Sequence, residues 1–205
     1  MPLTGSTVLW VLKDKAKKVA RHEQTRLVII AIATGIAAAL GATAFRELLG
    51  LIQWVWFGEF GDLSIETVQN LAWWQRLLVP TMGGLIVGYF IYKFVPEKRP
   101  MGVPQVMEAS ALHGANMSLR DGVRGAIANA ATLGFGGSAG REGPVVHLGA
   151  TIGAKLARLG RLPREQARVL LACGVAGAVA ASFNAPLAGV FFALEVVIGH
   201  YALAA

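Results

Sequence analysis

Four long uncharged runs constrain this chain more than any other feature of its sequence. They cover residues 27–45, 77–92, 125–140 and 169–194, and their lengths are 19, 16, 16 and 26 residues. A helix needs about 20 apolar residues to cross a bilayer, so several runs can span a membrane and others fall slightly short. The sequence therefore predicts an integral membrane protein built from helices.

The composition excludes the other broad classes of protein. Hydrophobic residues make up 55% of the chain and charged residues only 15%, whereas soluble domains carry about 25% charged residues. Disorder is excluded because it needs low hydrophobicity and high charge. One cysteine, Cys173, cannot form a disulfide framework or a cysteine-based metal site. The histidines show no ligand spacing, so we expect neither a metal nor another cofactor.

The basic residues cluster beside the apolar runs and predict the topology. They lie before the first run, after the second and before the fourth, at Lys13, Lys15, Lys17, Lys18, Arg21, Arg26, Lys93, Lys98, Arg99, Lys155, Arg158, Arg161, Arg164 and Arg168. Residues 58–72 contain three acids and no lysine or arginine. The positive-inside rule places the N-terminus in the cytoplasm and residues 58–72 outside. Because basic flanks of this kind are topology signals, the net charge of +7 predicts no nucleic-acid partner.

This topology predicts a multi-pass protein of the cell membrane, the inner membrane in a Gram-negative bacterium, in contact with lipid. Residues 1–205 read as a single transmembrane domain without internal repeats. Residues 1–25 are expected to form a cytoplasmic amphipathic helix with a basic flank. Further helices are predicted over residues 26–57, 74–95, 104–113, 118–133, 142–159, 163–182 and from 186 onward. The pairs Gly84/Gly88 and Gly149/Gly153 predict close helix packing.

Glycine and proline interrupt this pattern at residues 100–104, 134–144 and 182–186. Open backbone at membrane depth is tolerated only where protein buries it or where it lines a cavity. Interrupted helices of this kind mark ion sites near the bilayer midplane of transporters. The three breaks therefore indicate an ion pathway.

The strongest of these segments is Gly140-Arg141-Glu142-Gly143-Pro144, which immediately precedes an apolar helix. The glycines allow an ion to approach the backbone closely, and a helix N-terminus attracts anions through its free N–H groups and partial positive charge. The carboxylate of Glu142 can occupy the same position as the anion. It could then act as a gate and a proton carrier. Two plainer alternatives are a first-turn acid that complements the helix dipole and an ion pair with Arg141, but a carboxylate inside a membrane favours function.

These residues resemble the CLC family of chloride channels and proton/chloride antiporters. The sequence at 140–144 is similar to the second filter motif of the family, and residues 170–195, LLACGVAGAVAASFNAPLAGVFFALE, resemble its following helix pair. Pro100-Met101-Gly102-Val103-Pro104 resembles the first filter motif, usually written GSGIP. The similarity runs from about residue 26 to residue 201 in the order and spacing of the family.

The resemblance implies an all-α integral membrane protein with CLC-type inverted-repeat architecture, containing broken and half-spanning helices. It also implies a homodimer with one anion path in each subunit. The chain matches the first repeat only, so a second-half segment is expected to complete the path. A chloride ion or similar small anion would be the transported partner, with protons as a second.

The resemblance also assigns roles to individual residues. Glu142 falls on the gating glutamate of the family. The anion-binding filter would comprise Met101, Gly102, Val103, Pro104, Gly140, Arg141, Gly143 and Pro144. Met101 replaces a serine whose hydroxyl binds the central anion, and a thioether donates no hydrogen bond. A fluoride-exporting branch also lacks that serine, but Arg141 in the second motif argues against that branch.

A second departure concerns proton transfer. Val196 occupies the position of the internal proton-accepting glutamate of typical antiporters, and valine cannot carry a proton. Glu195 matches a neighbouring acid that normally faces elsewhere. Chloride transport with weak or no proton coupling is therefore expected. The alternatives are a proton-coupled chloride or fluoride antiporter, or a non-conducting fragment that needs a second half. An enzyme using Glu142 and His147 is not expected, because no catalytic set accompanies them.

Overall fold

The computed structural model describes residues 5–61, 64–95, 98 and 101–199, with side chains described from residue 23 onward. This part of the chain forms helices and no strand, as predicted. The helices are α1 (Gly5–Phe57), α2 (Ile65–Asn70), α3 (Trp73–Phe94), α4 (Val103–Ala111), α5 (Leu119–Gly134), α6 (Glu142–Leu159), α7 (Arg164–Phe183) and α8 (Pro186–Phe192), followed by a π-helical segment, Ala193–Ile198, called the π-turn below.

Three helices in the described part of the chain are long and apolar enough to cross a membrane. They are Glu23–Phe57 within α1, Trp73–Phe94 and Arg164–Phe183. Helix α1 is continuous from Gly5, so it starts 21 residues before the predicted start of the first span at residue 26. The surface placement of an amphipathic segment depends on side chains at residues 1–22, which lie outside the described side chains, and it stays a prediction.

Helices α6 and α7 form the centre of the bundle. Residues 144–151 of α6 are all buried, as expected for a helix surrounded by protein. A Cβ on Gly149 would overlap the carbonyl oxygen of Gly174, and a Cβ on Gly174 would overlap the carbonyl oxygen of Gly149. A Cβ on Gly153 would likewise overlap the backbone of Leu170. The predicted close packing at Gly149/Gly153 is therefore confirmed.

The close packing predicted at Gly84/Gly88 is not found among the residues that the structure describes. A Cβ at either position would meet no described atom within 4 Å, and both residues line a cavity of about 360 Å³ between α3 and α5. The close contact of α3 is made one residue earlier, where Gly83 packs against the ring of Phe135. Two glycines four residues apart give a helix a smooth face, but the sequence does not say whether another helix packs against that face.

Helix α1 packs across the central pair through one apolar face. Ala42, Phe45 and Leu49 of α1 are buried, together with residues of α5, α6 and α7 such as Val145 and Ala178. A second core connects α4, α6, α7 and the π-turn, with Val106, Val146, Leu171, Val175 and Val197 among its members. The two cores pack against different sides of α6. They fix the direction in which the N-terminus of α6 points.

The predicted helix boundaries agree with the structure within two residues, apart from the start of α1. Helix α7 ends at Phe183, its C-cap residue Asn184 has a left-handed φ of 52°, and Pro186 then starts α8. Two elements were not predicted. One is α2, whose N-terminus is capped by the Ser64 side chain, and the other is the π-turn.

Candidate functional site

The N-termini of two interrupted helices converge inside the bundle. A Cβ on Gly102, at the start of α4, would lie 3.5 Å from the Cα of Gly143, in the first turn of α6. The reverse distance, from a Cβ on Gly143 to the Cα of Gly102, is also 3.5 Å. Both glycines are half-buried. The structure therefore brings together the two segments that the sequence singled out, with no side chain between them.

The first turn of α6 leaves its N–H groups without a side-chain cap. Arg141 is the N-cap residue and makes no side-chain hydrogen bond to this turn. Pro144 has no N–H to donate and the Val145 N–H is the first to bond within the helix, so Glu142 and Gly143 supply the free donors in the first turn. Gly140 is exposed and has no atom within 4 Å of the position of a Cβ. This end of α6 can accept an anion without losing an existing cap.

The start of α4 differs because it carries a partial cap. The Gly102 N–H donates to Oε1 of Gln105 at 2.8 Å. Pro104 has no N–H, so Val103 is the donor that remains in the first two residues of α4. Gln105 was not among the predicted site residues. Its position three residues after the N-cap is the expected place for such a reciprocal bond, and that spacing could have identified it.

Glu142 faces a cavity of about 470 Å³ formed by α1, α6 and the end of α7. Arg46, Gly61, Arg141 and Ser182 also line this cavity. We call it the outer cavity, because it lies at the end of the bundle that carries Gly61. The Glu142 side chain is exposed and makes no hydrogen bond or ion pair with any residue that the structure describes. The alternative of an ion pair between Glu142 and Arg141 is therefore not found.

A second cavity lies on the other side of the α4–α6 contact. Its volume is about 230 Å³, and we call it the inner cavity. Met101 lines it together with Gln105, Glu108, Asp121 and His147. Met101 also lines the cavity between α3 and α5, and its Cβ lies 3.7 Å from the position of a Cβ on Gly125. The Met101 side chain therefore stands beside the place where the two helix starts meet.

The two residues considered for proton transfer lie in the π-turn, and neither lines the outer cavity. Glu195 is exposed and Val196 is half-buried. The next residue, Val197, is buried, and its carbonyl oxygen accepts a hydrogen bond of 2.9 Å from the Ser110 hydroxyl of α4. A π-helix has a wider turn than an α-helix. The direction in which a side chain at residues 193–198 points can consequently not be predicted from α-helical spacing.

At the end of the bundle opposite the outer cavity, three arginines donate hydrogen bonds to backbone carbonyl oxygens. Arg158 donates to the carbonyl oxygen of Met117 at 2.9 Å, and Arg164 donates to that of Leu112 at 2.8 Å. Arg26 donates to the carbonyl oxygen of Gly160 at 2.8 Å. The sequence marked these arginines only as topology signals. Their additional role is to satisfy backbone carbonyls at helix ends and in the connection between α4 and α5.

Comparison with known proteins identifies relatives of this chain. A family model described as voltage gated chloride channel matches residues 83–205. A ClcB-like chloride channel protein from Ralstonia nicotianae is 38% identical over 180 residues, which cover 84% of this chain and 41% of that protein. The voltage-gated ClC-type chloride channel ClcB of Salmonella typhimurium is 30% identical over 181 residues, which cover 87% of this chain and 43% of that protein.

A solved structure shows the same fold. The structure of a slow cyanobacterial Cl−/H+ antiporter superimposes with a TM-score of 0.67 and 22% sequence identity, over 84% of this chain and 40% of that chain. The chain thus spans about two fifths of the length of these relatives. The predicted all-helical architecture and its coverage of part of the family fold are confirmed. On the match over residues 83–205, this chain belongs to the voltage-gated chloride channel family, the CLC family.

Proposed function

We propose that this chain provides the first half of a chloride pathway, in which the anion binds at the converging N-termini of α4 and α6 and Glu142 acts as the gate. The observation that carries the proposal is the approach of Gly102 to Gly143 without an intervening side chain. The relatives that are named chloride channels, and the antiporter with the same fold, support chloride as the ion.

The proposed binding relies on backbone dipoles. The N–H groups of Val103, Glu142 and Gly143 carry partial positive charge, and the helix dipoles add to it. Conduction needs sites that bind an ion well enough to admit it and weakly enough to release it. Dipoles meet this requirement better than a lysine or arginine in direct contact with the ion in a low-dielectric site.

Glu142 would control access through competition. Its carboxylate has the charge of a chloride ion and starts the same helix, so it can take the anion's place at the uncapped N–H groups of α6. The outer cavity gives the side chain room to move away when it is protonated or displaced.

The topology and assembly of the protein follow from the same proposal. The basic ends of α1, α6 and α7 would face the cytoplasm, and the outer cavity would open to the outside. Leu187, Val190 and Phe191 of α8 are exposed apolar residues. We propose that the second half of the pathway and a second subunit cover such surfaces. A homodimer and a second-half segment therefore remain part of the proposal.

The first experiment measures chloride and proton movement together. The protein, purified at its full expressed length and reconstituted in liposomes, is expected to release chloride down its gradient. Proton movement should be weak or absent, because Val196 cannot accept a proton. Chloride efflux is followed with an ion-selective electrode and protons with a pH electrode. A fixed proton-to-chloride ratio would instead support the first alternative, a proton-coupled antiporter. The absence of flux would support the second, a non-conducting fragment that needs a second half.

The second experiment restores a hydroxyl at position 101. Met101→Ser is expected to tighten chloride binding about threefold to tenfold, since one added hydrogen bond contributes about 0.5–1.5 kcal/mol. Isothermal titration with chloride in detergent measures the change. Met107→Ser is the matched control, because Met107 lies in α4, which starts just after Met101, is 47% exposed and lines neither the inner nor the outer cavity. Equal affinity for both variants would place the anion elsewhere.

A further inference from the structure

Arg46 is a cation in an apolar helix, and nothing in the sequence pattern accounts for it. It lies within the membrane-spanning part of α1, Glu23–Phe57, and follows an uncharged run of 19 residues. A charged side chain in a spanning segment is costly and generally faces a cavity or a partner. Among the residues that the structure describes, none forms a hydrogen bond or an ion pair with Arg46.

The packing of α1 fixes where Arg46 points. Ala42, Phe45 and Leu49 on the same helix are at most 5% exposed and are packed in the core with α5, α6 and α7. These three residues hold the rotation of α1 about its axis. Arg46 consequently lies at the edge of the packed face, and it lines the outer cavity beside Glu142.

The chain after α1 folds back over this part of the helix. The Phe60 ring packs on Gly50, with 3.0 Å between a ring carbon and the position of a Cβ on that glycine. Gly61 then joins Arg46 in lining the outer cavity. Arg46 is thus an exposed residue that lines the outer cavity together with the folded-back segment and the start of α6, at the mouth of the proposed anion site.

We infer that Arg46 is a recruiting residue that concentrates external anions in the outer cavity before they reach the backbone site at α6. The inference rests on the proposed function. A cation in a cleft with low-dielectric walls raises the local concentration of anions and speeds their entry. Because Arg46 belongs to α1 and the site belongs to α4 and α6, it can attract the ion without holding it at the site.

The same position allows a different role, in which the guanidinium attracts the Glu142 carboxylate and holds the gate away from the anion site. The two roles have different consequences. Recruitment changes how flux depends on external chloride whether or not residue 142 is charged. A role in holding the gate requires the carboxylate and disappears when that charge is removed.

The test measures flux through the protein at its full expressed length, in proteoliposomes of uniform orientation, with chloride varied on one face at a time. Arg46→Gln is expected to raise the half-saturating external chloride concentration about threefold to tenfold at low ionic strength. The half-saturating concentration on the cytoplasmic face should not change. Arg46→Lys should restore the wild-type value, and an impermeant salt at about 1 M should remove the difference, since screening is then effective within about 3 Å.

Glu47→Gln is the matched control, because Glu47 is the next residue of α1, is exposed and does not line the outer cavity. It should leave the external chloride dependence unchanged. In Glu142→Gln protein the effect of Arg46→Gln should persist. Loss of the effect in that background, an equal change on both faces, or no change at all would overturn the recruiting role. Wild-type protein without chloride flux would overturn the proposed function itself, and the role of Arg46 with it.

Discussion

Chloride flux at neutral pH is expected to rise about tenfold or more in Glu142→Gln protein and to become independent of pH. Glutamine has nearly the shape of glutamate but no negative charge, so it competes with chloride for the uncapped N–H groups of α6 much more weakly than the carboxylate does. A tenfold change corresponds to about 1.4 kcal/mol. That is close to the lower end of the contribution of one charge-assisted hydrogen bond, about 1.5–3 kcal/mol. Efflux from liposomes over a range of external pH measures both effects.

Glu165→Gln is the control for this prediction. Glu165 is also an acid in the first turn of a helix, α7, and its side chain is 84% exposed and pairs with Arg168 at 4.0 Å. Neutralising it removes a helix-dipole interaction of about 0.3–1 kcal/mol without touching the proposed pathway. Flux and its pH dependence should be those of the wild type. If Glu142→Gln behaves in the same way, Glu142 is an ordinary first-turn acid and the gate lies elsewhere.

The start of α6 shows how much of the site could be predicted from the sequence. Gly140, Gly143 and Pro144 have local conformational preferences that end one segment and begin a helix, so Glu142 was correctly placed as the first helical residue. The apolar runs, the glycines and the prolines also located the other helices. These features act through the chain near each residue, and a local pattern therefore describes them well.

The remaining features depend on contacts between distant parts of the chain. Arg46 was absent from the predicted site because only tertiary packing brings α1 beside the start of α6. The contact of Gly83 with Phe135 joins residues more than 50 positions apart, so helical spacing within α3 could not predict it. The π-turn has no sequence signal of its own. One of its residues, Val197, accepts a hydrogen bond from the Ser110 hydroxyl of α4 through its carbonyl oxygen.

Gly174→Ala is expected to separate α6 from α7 and to abolish chloride flux. The new methyl group would overlap the carbonyl oxygen of Gly149, which is backbone and cannot rotate away. Overpacking in a well-packed interior costs about 1–3 kcal/mol and occasionally more. We expect the upper end of this range, because the reciprocal contact leaves neither helix free to move alone. The thermal midpoint in detergent and the flux in liposomes measure the loss.

Gly88→Ala separates this steric effect from the general effect of replacing a helical glycine. A Cβ on Gly88 meets no described atom within 4 Å, so only the helix propensity changes, and alanine is favoured by about 1 kcal/mol. Gly88→Ala should therefore keep or raise the thermal midpoint. An equally stable Gly174→Ala protein with wild-type flux would show that α6 is not held by its backbone contact with α7. Other contacts would then have to orient the N-terminus of α6 toward the proposed anion site.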